Sequence, residues 1–334
     1  MSTHATQRHP WWWIPTLYFA EGLPYMAVMT ISTVMYKCLG IGNTEIAFYT
    51  AWLYLPWVIK PFWSPFVDII RSKRWWVLAM QWAIAIAMAS IAFALPASGF
   101  FQATLALFWL MAFASATHDI AADGFYMLAL TEHQQSLFVG IRSLFYRISM
   151  VVGQGALVVV AAFVSDAWAQ PKAGWIVVFG ILAAFFALMA SYHSFALPRP
   201  GADAMRSPRS RGEVLREFTE TFVAFFRKPQ VGVALTFMLL YRLPEAQLVK
   251  MITPFMLDPT ESGGLGLTPD QVGLVYGTIG VIGLMLGGIV GGLAAARRGL
   301  RYWLHPMAWS MSLTCLTFVY LAVAQPSAIW EIYL

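Results

Sequence analysis

The sequence predicts an all-α membrane protein. Of its 334 residues, 59% are hydrophobic and only 11% are charged, whereas soluble domains carry about 25% charged residues. The mean hydropathy is +0.65. Apolar runs recur along the chain at a length of roughly 20 residues, which lets a helix cross a hydrocarbon core about 30 Å thick. These observations place the chain among integral membrane proteins.

The composition also limits the partners of the protein. The formal net charge is +5, but the cations lie in a few short connections between apolar runs, so we do not expect nucleic-acid binding. The two cysteines, Cys38 and Cys315, have neither metal-ligand spacing nor a disulfide pattern. We therefore expect no metal and no cofactor. The apolar run that starts at Trp11 is too long for a cleaved signal peptide and is expected to remain as the first span.

Nine complete transmembrane helices are predicted from the apolar runs. They fall near 11–38, 44–70, 75–96, 101–130, 138–164, 174–197, 230–256, 269–296 and 302–324. A tenth run begins near Ala328 and reaches Leu334 without a polar flank. We expect the chain to end inside that helix.

The loops predict that the N-terminus is cytoplasmic. Short loops that retain Lys and Arg face the cytoplasm, and here they alternate with loops that are poor in cations, such as the one at 96–100. The long connection at 197–230 is also rich in arginine. The basic residues of the two short loops are Arg71, Lys73 and Arg74, and Arg297, Arg298 and Arg301.

Residues 198–229 predict a cytoplasmic connector between two bundles. The segment opens with a turn-rich stretch, and Glu213–Lys228 has the apolar spacing of an amphipathic surface helix. A regulatory target helix is the alternative. The connector divides a six-helix bundle at 1–197 from an incomplete bundle at 230–334.

A weak internal repeat supports this division. The Leu23-Pro24 pair in the first span recurs as Leu243-Pro244 in the seventh, and the basic-aromatic element at 74–76 recurs at 301–303. Transporters are commonly built from such paired halves. We therefore expect two six-helix bundles, with twelve spans in the full-length protein.

Asp119 and Asp123 are the strongest candidates for function. A charge at mid-membrane costs roughly 2.5 to 3.5 kcal/mol, so acids there are paired, face water, or move ions or substrates. The two lie one helical turn apart on one face, where a pair of carboxylates is expected to take up protons. The alternative is a structural ion pair with Arg142 or Arg147. His118 points about 100° away and is either a proton relay or a packing residue.

Polar residues inside other spans predict a cargo site. Arginine, tyrosine and glutamine donate hydrogen bonds to carboxylates, hydroxyls and acetamides, and aromatic faces suit sugar rings. Pro24 is expected to kink the first helix and so favour a cavity beside Glu21. Helix-end anchoring or internal ion pairing is the alternative for the arginines. The candidate cargo residues are Glu21, Tyr146, Arg147, Gln154, Tyr241, Arg242 and Glu245.

The end of the second span predicts a gate. Asp68 is followed closely by Arg71, Lys73 and Arg74, of which Asp68, Arg71 and Arg74 are the candidate gate residues. An acid next to basic residues at a helix end can form a charge latch that breaks when a bundle rocks. An ordinary interfacial anchor is the alternative.

Several of these motifs together resemble a known family, the AmpG-type muropeptide permeases. The motifs are Gly22-Leu23-Pro24, Phe62-Trp63-Ser64-Pro65 with Asp68, the stretch from Ser115 to Asp123, Tyr146-Arg147, and Leu240-Tyr241-Arg242-Leu243. These permeases belong to the peptide/acetyl-CoA transporter branch of the major facilitator superfamily. His118 stands where the resemblance leads us to expect Gln.

The resemblance implies a major facilitator fold and an importer in the bacterial inner membrane. It further implies that the proton motive force drives uptake of anhydro-muropeptides or related amino sugars, as in peptidoglycan recycling. Siderophores and oligosaccharides are alternative cargoes. An intramembrane acyltransferase using His118 and Asp119 is a less favoured alternative, because no nucleophile or metal set accompanies them. We expect a monomeric transporter and not an enzyme.

Overall fold

The computed structural model describes residues 8–203, 211–267, 271 and 279–326. Every regular element within those residues is a helix, and none of them forms a strand. The predicted all-α class is therefore confirmed. The chain forms two compact units, Met1–Thr219 and Glu220–Leu334. The predicted connector at 198–229 remains a prediction.

The first unit contains ten helices among its described residues, before α11 at the boundary between the units. They are α1 (Ile14–Met26), α2 (Ser32–Cys38), α3 (Asn43–Ala51), α4 (Leu55–Ile59), α5 (Ser64–Ile70), α6 (Lys73–Ala94), α7 (Phe100–Ala129), α8 (Glu132–Val151), α9 (Leu157–Ala167) and α10 (Ala173–Ala196).

The second unit continues the helical pattern. The helix α11 (Arg211–Arg227) coincides with the predicted amphipathic segment and is followed by α12 (Val231–Leu257), α13 (Gly280–Arg298) and α14 (Leu300–Ala324). The helix α14 packs against both α12 and α13. The predicted eighth span at 269–296 is described from residue 279 onwards, and before that only at residue 271. The predicted tenth run at 328–334 lies outside the described residues.

Within the described residues, four helices are long and apolar enough to cross a membrane by themselves. They are α6, α7, α10 and Arg301–Ala324 of α14. A fifth candidate is a pair of helical segments, Arg216–Arg227 and Val231–Leu240, that meet at a bend of 77°. Uninterrupted helices among the described residues therefore do not confirm the predicted count of nine.

Proline interrupts the predicted second span. Two 3₁₀ turns, Trp52–Tyr54 and Lys60–Phe62, separate α3, α4 and α5. Pro56, Pro61 and Pro65 each lie in the first two positions of a helical segment, where the missing N–H is tolerated but a preceding helix cannot continue. The interruption places Lys60 in a turn instead of in the middle of a helix.

The predicted first and fifth spans are interrupted more gently, by single π-helical turns. Ala27–Ile31 joins α1 to α2, and Val152–Ala156 joins α8 to α9. The two turns pack against each other. Such turns are frequent at functional sites. Here they lie directly beyond the part of α1 and α8 that carries the polar residues.

Two glycines allow α1 and α8 to approach closely. A Cβ atom on Gly22 would lie 2.9 Å from the carbonyl oxygen of Tyr146, and one on Gly153 would lie 2.9 Å from Cβ of Met26. These distances are too short for any larger residue without movement of the backbone. The close approach brings Glu21, next to Gly22, against α8.

The outer surface of the protein is strongly apolar. Phe93 is 85% exposed, Phe163 71% and Val323 82%, and fewer than half of the residues in the most apolar windows of α6, α7 and α10 are buried. Exposed apolar side chains in such numbers are unfavourable in water but match a hydrocarbon environment. The exposed side chains thus agree with a membrane protein.

Candidate functional site

Three carboxylates from two helices meet inside the first unit. Asp119 and Asp123 lie on one face of α7, as their spacing predicted, and Glu21 of α1 joins them. One carboxylate oxygen of each lies within 4.8 Å of the others. Glu21 is only 8% exposed, and its Oε2 atom is buried without a hydrogen-bond partner. We call Glu21, Asp119 and Asp123 the carboxylate cluster.

Lys60 pairs with the first aspartate of the cluster. Its Nζ atom forms an ion pair with Oδ2 of Asp119. Lys60 lies in the 3₁₀ turn before Pro61, so the proline-broken segment supplies this cation. Lys60 was not among the predicted site residues. A lone lysine inside an otherwise apolar predicted span was the available signal, since such a charge normally has a partner.

Arg142 of α8 pairs with the second aspartate. Its Nη1 atom lies 2.9 Å from Oδ1 of Asp123 and donates a hydrogen bond of 3.0 Å to the hydroxyl of Tyr18. That hydroxyl in turn donates to Asp123 over 3.1 Å. The guanidinium group also lies over the rings of Tyr18 and Tyr126, at 4.8 and 5.0 Å from their centroids. Of the two arginines that the sequence left open, Arg142 is thus the one that pairs with an aspartate of the cluster, namely Asp123.

The two aspartates line different cavities. A cavity of 270 Å³ is lined by Glu21, Asp119, Lys60 and Ser115 together with four aromatic residues. A second cavity of 650 Å³ is lined by Asp123, Lys60 and residues of α5 and α6. Lys60 lines both. The aromatic residues of the smaller cavity are Tyr25, Tyr54, Trp57 and Tyr146.

The smaller cavity combines charge with aromatic rings. The Tyr25 ring meets Trp57 edge-on with centroids 5.2 Å apart, and Tyr54 stacks on Trp57 at 6.4 Å. Aromatic faces beside hydrogen-bonding groups suit a sugar or another amphipathic solute. Tyr25, Tyr54 and Trp57 were not predicted as site residues, because aromatic residues are common in membrane helices and carry no distinctive spacing here.

His118 belongs to a separate buried network. Its Nε2 lies 3.1 Å from Nε2 of Gln81, and Oε1 of Gln81 lies 3.0 Å from Nδ1 of His193. Nε2 of His193 lies 3.0 Å from Oγ1 of Thr16. The network joins α1, α6, α7 and α10 and explains how these polar groups are tolerated in the core. The structure therefore does not bring His118 into either cavity.

The predicted gate residues lie near one end of α6, where three basic residues follow Asp68. Asp68 forms its ion pair with Lys73. The backbone N–H groups of Lys73 and Arg74 donate hydrogen bonds of 2.6 and 2.9 Å to the carboxylate of Asp203. Asp203 thus accepts from backbone N–H groups that have no partner within the first turn of α6. The guanidinium of Arg71 lies 5.8 Å from the ring centroid of Trp75.

The predicted cargo residues are placed in part. Glu21 and Tyr146 line the smaller cavity. Arg147 follows Tyr146 on α8 and is partly buried. The side chains of Gln154, Tyr241, Arg242 and Glu245 lie outside the part of the chain that the structure describes.

Comparison with known proteins identifies the family. The sequence model of the Major Facilitator Superfamily matches residues 16–334. The chain belongs to the major facilitator superfamily. This family of transporters accounts for the helical fold and the apolar surface, and it points to a transporter and not an enzyme. The chain is accordingly a multi-pass membrane protein.

Among the superfamily members, the chain is similar to proteins of the predicted AmpG type. It is 26% identical to the "Anhydromuropeptide permease" of Escherichia coli (strain K12) over 295 residues, which are 84% of this chain and 54% of that protein. It is 23% identical to the "Putative transporter AmpG 3" of Rickettsia prowazekii over 73% of this chain and 58% of the relative. The predicted resemblance is confirmed. The chain spans little more than half the length of these relatives.

Proposed function

We propose that the full-length protein imports anhydro-muropeptides, or related amino sugars, across the bacterial inner membrane by proton-coupled alternating access. The observation that carries the proposal is the charged, aromatic-lined cavity of 270 Å³ in a chain similar to a protein named for anhydromuropeptides. Lys60 offers a cation to cargo carboxylates, and the aromatic rings offer faces to sugar rings.

The architecture follows the same proposal. Nine complete spans and the start of a tenth belong to a twelve-helix fold with two six-helix bundles, a connector at 198–229 and a cytoplasmic N-terminus. Interrupted spans fit a transporter, because irregular backbone within a membrane is tolerated where it lines a cavity. We propose that the protein functions as a monomer with a small-molecule cargo and protons as its partners.

The residue roles divide between coupling, cargo contact and gating. Asp119 and Asp123 belong to the coupling site. Asp68 acts in a gate with its observed partner Lys73 and the neighbouring Arg71 and Arg74. For His118 we propose packing, because its hydrogen bonds lead away from both cavities. The proposed cargo contacts are Tyr25, Tyr54, Trp57, Lys60, Tyr146, Arg147, Gln154, Tyr241, Arg242 and Glu245.

Uptake by the full-length protein tests this proposal. Proteoliposomes with an acidic exterior are expected to accumulate radiolabelled GlcNAc-anhydro-muropeptide, and a protonophore is expected to abolish the accumulation. The Asp119→Asn variant is expected to lose it, because the charge that pairs with Lys60 is removed. Asp166→Asn changes an exposed aspartate of α9 and serves as the matched control.

Two results would contradict the proposal in different ways. No uptake by a folded wild type would exclude this cargo, and siderophores and oligosaccharides would then be assayed in the same vesicles. Uptake that is insensitive to the pH gradient would contradict proton coupling while leaving the cargo in place. Recovery of chemically altered cargo would instead indicate an enzyme.

A further inference from the structure

The charges around the carboxylate cluster do not balance. Among the described residues, the three carboxylates have two cationic partners. Lys60 forms an ion pair with Asp119, and Arg142 forms one with Asp123. Glu21 forms no ion pair with any residue that the structure describes. If all five groups are charged, one negative charge remains. In a site of low dielectric constant an unbalanced charge is strongly unfavourable, so the cluster needs one further positive charge.

The environment of Glu21 locates the missing charge. The residue is 8% exposed, and its Oε2 atom is buried with no hydrogen-bond partner among the described residues. One carboxylate oxygen of Glu21 lies within 4.8 Å of one oxygen of Asp119 and one of Asp123. Two ionised carboxylates only accept hydrogen bonds and repel at that range, whereas a protonated carboxyl group donates to an ionised one. A proton on Glu21 therefore removes both the excess charge and the repulsion.

All charged neighbours are consistent with this assignment. Asp119 and Asp123 face Glu21 from α7, Arg142 from α8 and Lys60 from the turn after α4. Arg147 follows on α8 and makes none of the ion pairs found among the described residues. The hydroxyl-bearing neighbours are Tyr18 on α1 itself, Tyr25 and Tyr54 on the cavity wall, and Tyr146 on α8.

A proton fits better than a metal ion. Three carboxylate oxygens within 4.8 Å resemble a cation site, but Lys60 and Arg142 already neutralise two of them. A divalent ion would leave the cluster with a net positive charge beside an ammonium and a guanidinium group. One monovalent cation neutralises it, and a proton requires no shell of several oxygen ligands. Sodium is therefore the alternative that an experiment must distinguish.

We propose that Glu21 is the proton carrier of this transporter and that the cluster takes up one proton per cycle, with Asp119 and Asp123 held ionised by Lys60 and Arg142. This inference rests on the proposed proton-coupled transport and replaces the predicted cargo role of Glu21. The proton reaches Glu21 from water through the 270 Å³ cavity, which Glu21 lines together with Asp119.

The Glu21→Gln variant of the full-length protein tests the assignment. Glutamine has the size of the protonated glutamic acid and keeps its hydrogen-bond donor, but it cannot release a proton. The variant is expected to lose accumulation driven by a pH gradient and to retain exchange of labelled for unlabelled GlcNAc-anhydro-muropeptide at equal pH. Glu45→Gln, an exposed position in α3, is expected to behave as wild type in both assays.

The outcomes separate the inference from the proposed function. Absence of both activities in the wild type would contradict the proposed function itself. Gradient-driven accumulation by Glu21→Gln at the wild-type level would overturn the assignment of Glu21 alone. Loss of exchange as well as accumulation would also overturn it, because Glu21 would then be needed for cargo binding or folding. Wild-type accumulation driven by a sodium gradient at equal pH would replace the proton by sodium.

Discussion

Replacing Lys60 by Met is expected to abolish gradient-driven uptake and to destabilise the first unit. The substitution leaves the Asp119 carboxylate next to Glu21 without its cation. Removing one partner of a buried ion pair costs about 3–5 kcal/mol of stability. We expect a smaller loss here, because the Lys60 side chain is 36% exposed and water screens part of the charge. Even a loss of about 1.4 kcal/mol of interaction free energy corresponds to a tenfold change in an equilibrium constant. A change of that size is measurable both in uptake rates and in thermal unfolding in detergent.

A second substitution separates stability from transport. Lys60→Met combined with Asp119→Asn removes both charges, and this double variant is expected to recover thermal stability without recovering uptake. Lys37→Met, at an exposed position of α2, is the matched control. Normal uptake by Lys60→Met would show that the Lys60–Asp119 pair has no part in the transport cycle.

Replacing Arg142 by Lys is expected to have a comparably large effect, although the charge is retained. Arg142 contacts Asp123 and the Tyr18 hydroxyl through one nitrogen and stacks on the rings of Tyr18 and Tyr126. A lysine lacks the planar group that makes this arrangement. We expect lower thermal stability and at least a roughly tenfold slower uptake, the rate equivalent of about 1.4 kcal/mol.

The matched control for this prediction is Arg8→Lys, which makes the same exchange at an exposed position before α1. If Arg142→Lys transports at the wild-type rate, the arginine supplies only its charge. Asp123 would then need a nearby cation but not the geometry that Tyr18 and Tyr126 help to fix.

The sequence was sufficient for the fold class and for bringing together two of the three members of the carboxylate cluster. Composition and apolar run length predict a helical membrane protein, and a separation of four residues places Asp119 and Asp123 on one helix face. Arg142 was one of two arginines considered as their partner. Each of these inferences depends on local periodicity or on the cost of a charge within a membrane.

Lys60 shows why other parts of the site were missed. Hydropathy alone made 44–70 one continuous helix, whereas Pro56, Pro61 and Pro65 break it and put Lys60 in a turn. The spacing of those prolines was a usable local signal. It predicts the interruption, although not that the turn lies opposite Asp119.

The long-range pairs had no such signal. Gln81 meets His193 across 112 positions of the chain, and Lys73 meets Asp203 across 130. Polar residues inside spans indicate that partners exist, but their identity depends on how the helices pack. The pairing of Asp68 with Lys73 was undetermined for the same reason, since several basic residues follow Asp68.

The proton stoichiometry tests the central claim most directly. Proteoliposomes of the full-length protein, with the membrane potential clamped at zero, would be loaded to steady state with radiolabelled GlcNAc-anhydro-muropeptide over a series of pH gradients. If one proton is transported with each cargo molecule, the ratio of internal to external cargo is expected to rise about tenfold per pH unit. Each pH unit supplies about 1.4 kcal/mol per proton, which corresponds to a tenfold concentration ratio. A rise of about a hundredfold per pH unit would require two protons, and no dependence on pH would require none. Either result would contradict a cluster that carries a single proton on Glu21.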